Sequence, residues 1–461
     1  MMMVFLKKIS IDQWVIIGLL IFTIWNVFNL SHWKLENKVI SEDVVSYYGY
    51  LPATFIYGDA TLQNPNEKYY QYEHAFLLQP TKDGRHTFKT TMGMAVLYSP
   101  FFFLSHVYVK ATGGLDSGFS APYQFAIVIS SVFYFLIGLI FLRKVLLHFY
   151  SKKITATVLL LVVAGTNYFF YVGMVPGYVH NYVFCLLSVL IFLLIKWYAN
   201  PSNSAAIGLG AIFGFLVLIR PTLVLLLPFL LLFGVKNRGF LKTRLLLLRS
   251  NSRKIMLAIF CAFVVWIPQL IYWKAATGSY LFYSYTEERF YWNDPKIIEV
   301  LFSFRNGWLL YTPIMIFSII GIVQMIVKKT GYGWAIASTL ILFLYVNSCW
   351  WVWWFGGSYG YRTMIDLYPI LALALGFFLQ QLFTSKRLLK ISGGILVLLL
   401  LLYNIFQTRQ AHEGLIHHDS MTAEAYGKIF LKLTPYITVE DVRPYLDHPD
   451  YAAALKGDRD L

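Results

Sequence analysis

Charge is scarce in this 461-residue chain: only 13% of its residues are Asp, Glu, Lys or Arg, about half the share found in soluble domains. Beside 58% apolar and 18% aromatic residues, that scarcity excludes a soluble globular fold. Acids are the scarcer sign, 23 against 38 basic residues, and the net charge of +15 would suit a nucleic-acid partner if the basic residues shared a face. They lie instead between apolar runs, so topology accounts for the charge and no nucleic acid is implied. Cysteine is scarce too. Cys185, Cys261 and Cys349 sit in or beside apolar runs with no metal-ligand spacing, which excludes a disulfide framework and a cysteine zinc site.

What the sequence has in abundance is runs long enough to cross a hydrocarbon core, which takes about 20 apolar residues per helix. Eleven are read as spans: 14–30, 123–142, 154–172, 178–195, 205–219, 222–235, 255–273, 308–327, 334–350, 364–383 and 391–407. The first follows Lys7 and Lys8 and runs into Ser31-His32-Trp33-Lys34, which offers no small-x-small cleavage site, so it reads as a retained anchor with a cytoplasmic N-terminus. With eleven crossings the cytoplasmic segments hold 19 of the 38 basic residues and one acid, Asp12, as the positive-inside rule requires. Counting the apolar stretch 93–109 as a twelfth crossing would reverse every later loop and put the basic segment 236–254 outside. It is therefore expected to be a re-entrant or interface-lying helix. Segment 236–254 is basic and apolar together over 240–248, which suits the inner leaflet. The expected fold is an all-α polytopic membrane protein of about 11 transmembrane helices.

Three polar segments then fall outside: the first outer loop 32–92, the segment 274–307 and the tail 407–461. The first carries SEDVVSYYGYLP, in which Glu42 and Asp43 precede Tyr47, Tyr48 and Tyr50. This reads either as a solvated turn before an interfacial aromatic belt, or as a carboxylate general base, ionised at neutral pH without special tuning. Basic groups at the outer ends of spans form the complement: Lys89, His180, Arg220, Arg305 and Arg362. Each alone could snorkel to headgroups. Together at one face they suit an anion, and guanidinium groups grip phosphate oxygens bidentately. NSCWWVWWFGGSYGYR, 347–362, places Trp353, Trp354 and Tyr359 either in an aromatic belt or against a sugar face. His412, His417 and His418 with Asp419 match no strong metal motif.

Taken together, the Asp43-x-x-x-Tyr47 pattern continuing into YGYLP, the phrase FSFRNGWLLYTP and the phrase SYGYRTMIDLYP resemble integral-membrane glycosyltransferases of the GT-C superfamily. The likeness is to bacterial protein O-mannosyltransferases and to the aminoarabinose transferase of lipid A. The resemblance covers the transmembrane module 1–406 and implies juxtamembrane helices in the first outer loop. It implies catalysis outside the inner membrane of a bacterium, with Asp43 as base and Glu42 as the neighbouring acid. Lys89 and Arg362 would meet the donor phosphate, joined by His180, Arg220 and Arg305, while Tyr47, Tyr48, Trp353, Trp354 and Tyr359 would line the substrate. Where relatives carry an acid between the third and fourth spans, this chain has His180.

The activity so implied is an inverting transfer of a sugar from a polyprenyl-phosphate donor to a hydroxyl of a protein, glycan or lipid acceptor. No cofactor is implied, and without Asp-x-Asp in the first loop no obligatory divalent metal is expected. Two other readings compete. A transporter or lipid flippase would show internal repeats and charge near the midplane, whereas here charge gathers at one face. A lipid-modifying transferase with a non-sugar donor would share the face but not the donor.

Overall fold

A computed structural model describes residues 9–81 and 84–460; Lys7 and Lys8, which flank the first run, lie outside the described residues. The chain is predominantly helical. Among the described residues the only sheet is a two-stranded antiparallel ribbon in the first loop, pairing Leu78–Pro80 with His86–Phe88. Among the described residues six helices are long and apolar enough to cross a bilayer: Ile11–Lys34, Ala121–Phe149, Val179–Ala199, Ser252–Thr277, Arg362–Phe383 and Arg387–His412. Each coincides with one of the expected runs, with Tyr178 of the run 178–195 standing just before its helix, so the chain is a predominantly helical protein of membrane type.

The count of eleven is not reached. The other five runs form helices that are short or interrupted, and proline explains several of the breaks because its ring removes an N–H and clashes with the preceding turn. The run 222–235 divides into Pro221–Leu226, a 3₁₀ turn, and Leu227–Leu232. The run 308–327 divides at Thr312-Pro313 into Trp308–Tyr311 and Ile316–Val327. The run 154–172 is helical only over Lys152–Ala164, then makes a π turn at Phe170–Met174. Asn203–Ile219 and Gly333–Ser348 are continuous but short.

One pair of helices shows how the bundle closes. Asn203–Ile219 lies so close to Ser252–Thr277 that a Cβ on Gly210 would fall 2.0 Å from the Ala258 carbonyl oxygen, and one on Gly214 would fall 2.6 Å from Ala262 Cα. Small residues four apart let helix backbones touch where lipid supplies no hydrophobic drive, and here Trp266 Nε1 also donates to the Gly214 carbonyl at 3.2 Å. Gly214→Leu is therefore expected to lower stability by about 1–3 kcal/mol through overpacking, read as a lower thermal midpoint in detergent. Gly394→Leu is the control, since nothing lies within 4 Å of a Cβ there.

The two ends of the bundle differ in chemistry. At the basic end Arg143 Nε meets the fully buried Asp12 at 2.5 Å, and Arg244 lies 3.4 Å from the Tyr198 ring centroid. The helix Arg238–Ser250 at that end buries none of its residues. The opposite end carries the first loop, with short helices Glu42–Tyr48 and Tyr50–Phe55 packed on Gly93–Thr112. Gly93 abuts Ile219, while Lys110 reaches Asp116, which also binds Lys68 of the first loop. Along its length Gly93–Thr112 packs on Ala121–Phe149, with Tyr134 Oη donating to the Leu97 carbonyl at 3.4 Å and His106 Nδ1 2.6 Å from Tyr123 Oη.

The tail is an integral layer of that same end. Arg387–His412 runs past residue 407, and the chain beyond it buries Leu415, Ile416, Met421, Ile429 and Val442 against Tyr311 and Tyr359. Near the C-terminus Arg459 is 1% exposed; its guanidinium donates to the carbonyls of Ser348 and Asp294, each at 2.6 Å. The tail therefore packs under the loop that follows Ser348.

Candidate active site

Six parts of the chain bring charged residues together: Glu42 with Asp43, then Lys89, His180, Arg220, Glu288, and Arg362 with Asp366. The helix Glu42–Tyr48 supplies two of the acids. Glu42 has φ 46°, a left-handed conformation costing roughly 1–2 kcal/mol in a residue with a Cβ, and the two carboxylates take different partners. Tyr178 Oη donates to Glu42 Oε2 at 2.6 Å. Asp43 Oδ2 receives Arg362 Nη2 at 2.9 Å, and Arg362 also lies over the Tyr178 ring, 5.6 Å from its centroid.

Arg362 is placed by the loop before the span Arg362–Phe383. Gly360 has φ 61°, and a Cβ there would come 3.0 Å from Tyr311 Cβ, so glycine meets both a backbone and a space requirement. Buried polar groups pin the neighbouring carbonyl and amide: Asn167 Nδ2 donates to the Tyr359 carbonyl at 3.0 Å, and the Tyr359 amide donates to Tyr171 Oη at 2.8 Å.

Beneath this pair lies a buried triad. Asp366 is fully buried; His180 Nδ1 is 2.8 Å from its Oδ1 and Arg220 Nη1 is 2.8 Å from its Oδ2. Arg220 Nη1 also lies 3.3 Å from His180 Nδ1. Lys89 completes the recess from the other side, paired with Glu288 and 5.3 Å from the Tyr285 ring centroid.

Asp43 keeps 54% of its side-chain surface accessible although protein surrounds it. Burial works against its charge, but Arg362, then Lys89 and His180, outweigh burial and hold the carboxyl below the ordinary aspartate range. It is a ready carboxylate at any neutral pH. Tyr47, one turn on, is pushed the other way by burial and by Tyr285, so its hydroxyl stays neutral beside Arg220, Arg362 and Asp43.

Of the residues expected to hold phosphate, four converge: Lys89, His180, Arg220 and Arg362. They do not form the unbalanced positive cluster that was expected, because Glu288 pairs with Lys89, Asp43 with Arg362, and Asp366 with both His180 and Arg220. His180 and Arg220 serve first to compensate a buried aspartate, as an uncompensated charge at that depth would be costly. Arg305 is elsewhere: it is 4% exposed, donates to the Asp419 carbonyl at 2.5 Å, and sits against Trp354 and the tail.

The aromatic expectations are corrected in the same way. Only Tyr47 faces the charged recess. Tyr48 is fully buried, with its hydroxyl on the Gly118 carbonyl at 2.5 Å and Tyr98, Phe102 and Phe119 around its ring. Trp353 is buried and donates to the Arg459 carbonyl; Trp354 is buried between Trp353 and Tyr451. Tyr359 is 3% exposed and packs on Phe170 and Tyr311. These four hold the tail and loops in place.

Sequence reasoning missed Asp366 and Glu288. Asp366 lies four residues past Arg362 inside an apolar run, and an ionisable residue there is a site candidate by default. Glu288 carries no such signal, because nothing in sequence ties segment 274–307 to Lys89.

An apolar cavity of about 450 Å³ opens between the first-loop helix Tyr50–Phe55, Gly93–Thr112 and Ser252–Thr277, lined by Tyr50, Phe55, Met92, Val96 and Ile271 among others. Comparison with protein-family models and with curated proteins gives no match for this chain.

Proposed function

We propose that the protein is an inverting glycosyltransferase that moves a sugar from a polyprenyl-phosphate donor to an acceptor hydroxyl at the outer face of a bacterial inner membrane. One observation carries the reading: a water-accessible carboxylate, Asp43, is held in direct contact with a guanidinium, Arg362, at the end of the bundle that carries the first loop. The apolar cavity lined by Tyr50, Phe55 and Ile271 suits the lipid part of such a donor. The charge asymmetry of the two ends supports eleven crossings with the N-terminus inside, the five short helices completing theirs through the turns that adjoin them.

The chemistry follows from charge balance. The acceptor oxygen attacks the anomeric carbon as its proton passes to Asp43, the bond from that carbon to the phosphate oxygen breaks, and configuration inverts. A phosphodiester donor carries one negative charge, whereas the departing polyprenyl phosphate approaches two, its second pKa lying near 6. Before transfer the Asp43–Arg362 pair is neutral. Once Asp43 takes the proton, the pair carries +1, and the released positive charge appears beside the phosphate as it gains its second negative one. Arg362 therefore plays two parts in sequence, keeping the base ionised and then stabilising the leaving group.

The test is transfer in vitro from a panel of polyprenyl-phosphate sugars, with wild type and Arg362→Lys. Lysine keeps the charge but cannot hold Asp43 and a phosphate oxygen on separate prongs. The half-saturating donor concentration should rise about tenfold, the size of one charged hydrogen bond, with acceptor dependence little changed. Transfer from no member of the panel, by folded protein, would sink the reading.

A further inference from the structure

We propose that His417, Asp419 and His448 form a binding site for a divalent transition metal of the zinc class on the tail. One ligand atom from each lies within 4.8 Å of the other two, although 28 residues separate Asp419 from His448 in sequence. The proposal stands apart from the transferase reading and needs none of its residues.

The donor set fits. Two imidazoles and a carboxylate are the ligands that zinc accepts at about 2.0–2.2 Å, and in a tetrahedral site ligands at that distance stand about 3.3 Å from one another. His417 Nδ1 and Asp419 Oδ1 are already 3.2 Å apart, and a ring nitrogen of His448 lies within 4.8 Å of a ligand atom of each. Asp419 is buried, yet among the described residues its carboxylate has no lysine or arginine within ion-pair distance; its neighbours at that range are the imidazoles of His417 and His418. Arg305 touches its backbone carbonyl instead.

The surrounding hydrogen bonds orient the ligands. Ser420 Oγ donates to Asp419 Oδ1 at 2.7 Å and lies 2.8 Å from His448 Nδ1. A hydroxyl has one proton, so having given it to Asp419 it must accept from His448 Nδ1–H, which leaves the lone pair on Nε2. Tyr451 Oη fixes the other carboxylate oxygen at 2.6 Å. Such outer partners set tautomer and ring orientation at metal-binding histidines. His448 is exposed, which supplies the entry path, and the fourth position is left to water or to His418, whose Nε2 is 3.6 Å from Asp419 Oδ1.

A metal here would join the segment 417–419 to residue 448. The first of these segments also backs the loop before Arg362, since the Ser358 amide and Asn306 Nδ2 both bond the His418 carbonyl.

The experiment uses full-length protein in detergent, without a polyhistidine tag, stripped with chelator and titrated with Co²⁺ alone. Wild type should bind one equivalent with the visible absorption of low-coordinate cobalt. His417→Ala and His448→Ala should each weaken binding more than about tenfold, and Ser420→Ala by about 10- to 100-fold, while His74→Ala in the first loop binds as wild type does. Asp419→Asn keeps the side chain's shape and should also lose the site, which covers the case in which a histidine variant fails to fold. Absence of stoichiometric binding, or equal affinity in wild type, His448→Ala and Asp419→Asn, overturns the proposal.

Discussion

Asp43→Asn is expected to give an inserted protein that still takes up donor but transfers sugar more slowly by about 10²- to 10⁴-fold, the usual contribution of a general base. The amide keeps the shape of the side chain and can still accept from Arg362, so the loop should hold. What is lost is the proton acceptor, and with it the change in pair charge that meets the leaving phosphate. The sign of the pH dependence follows from the lowered pKa of Asp43: the base is fully ionised across the neutral range and loses activity only as pH falls through that lowered value. A wild-type acid limb centred near neutrality would assign the limiting group to another residue. Glu42→Gln is the companion measurement. Glu42 is exposed and bonded to Tyr178, so its loss should cost far less; if Glu42→Gln abolished transfer and Asp43→Asn did not, the roles would be reversed.

How much of this was legible in sequence depended on the range of the interaction. The six long helices are written in runs of apolar residues, a local property, and each was found. Of the five short ones, two are divided beside a proline, at Pro228 and at Thr312-Pro313, which a hydropathy run does not register, and two others are continuous but shorter than a full crossing. At the site, Asp43, Lys89, His180, Arg220 and Arg362 could be singled out one by one as charged or titratable groups near the outer ends of apolar runs, and the structure brings them together from five parts of the chain. Their pairing could not be read. Which acid answers which cation is a matter of tertiary contact, so Glu288 and Asp366 were overlooked and the cluster looked more positive than it is. Trp353 and Trp354 misled for a related reason: a tryptophan-rich outer loop looks the same whether its rings face lipid, a sugar or, as here, the protein's own tail.

Asp366 should prove the most sensitive single position for folding. It is fully buried between His180, itself 2% exposed, and Arg220, so removing its charge leaves a guanidinium without a counter-ion in a low-dielectric setting. Breaking a buried pair by deleting one partner typically costs about 3–5 kcal/mol, which is comparable to the whole stability of a marginal domain. Asp366→Ala is therefore expected to fail to accumulate in the membrane, or to melt far below wild type in detergent. Asp366→Asn keeps a hydrogen-bond acceptor and should be milder. The double variant Asp366→Asn with Arg220→Gln separates the two meanings of this residue. If Asp366 matters because it neutralises Arg220, removing both charges should restore much of the thermal stability lost in Asp366→Asn alone. Transfer activity should remain low, because Arg220 would no longer offer its charge beside Tyr47 and the recess. Equal stability of Asp366→Asn and the double variant would show that the aspartate serves His180 rather than Arg220. Recovery of both stability and activity would remove Arg220 from the donor site and leave the phosphate to Arg362 and Lys89.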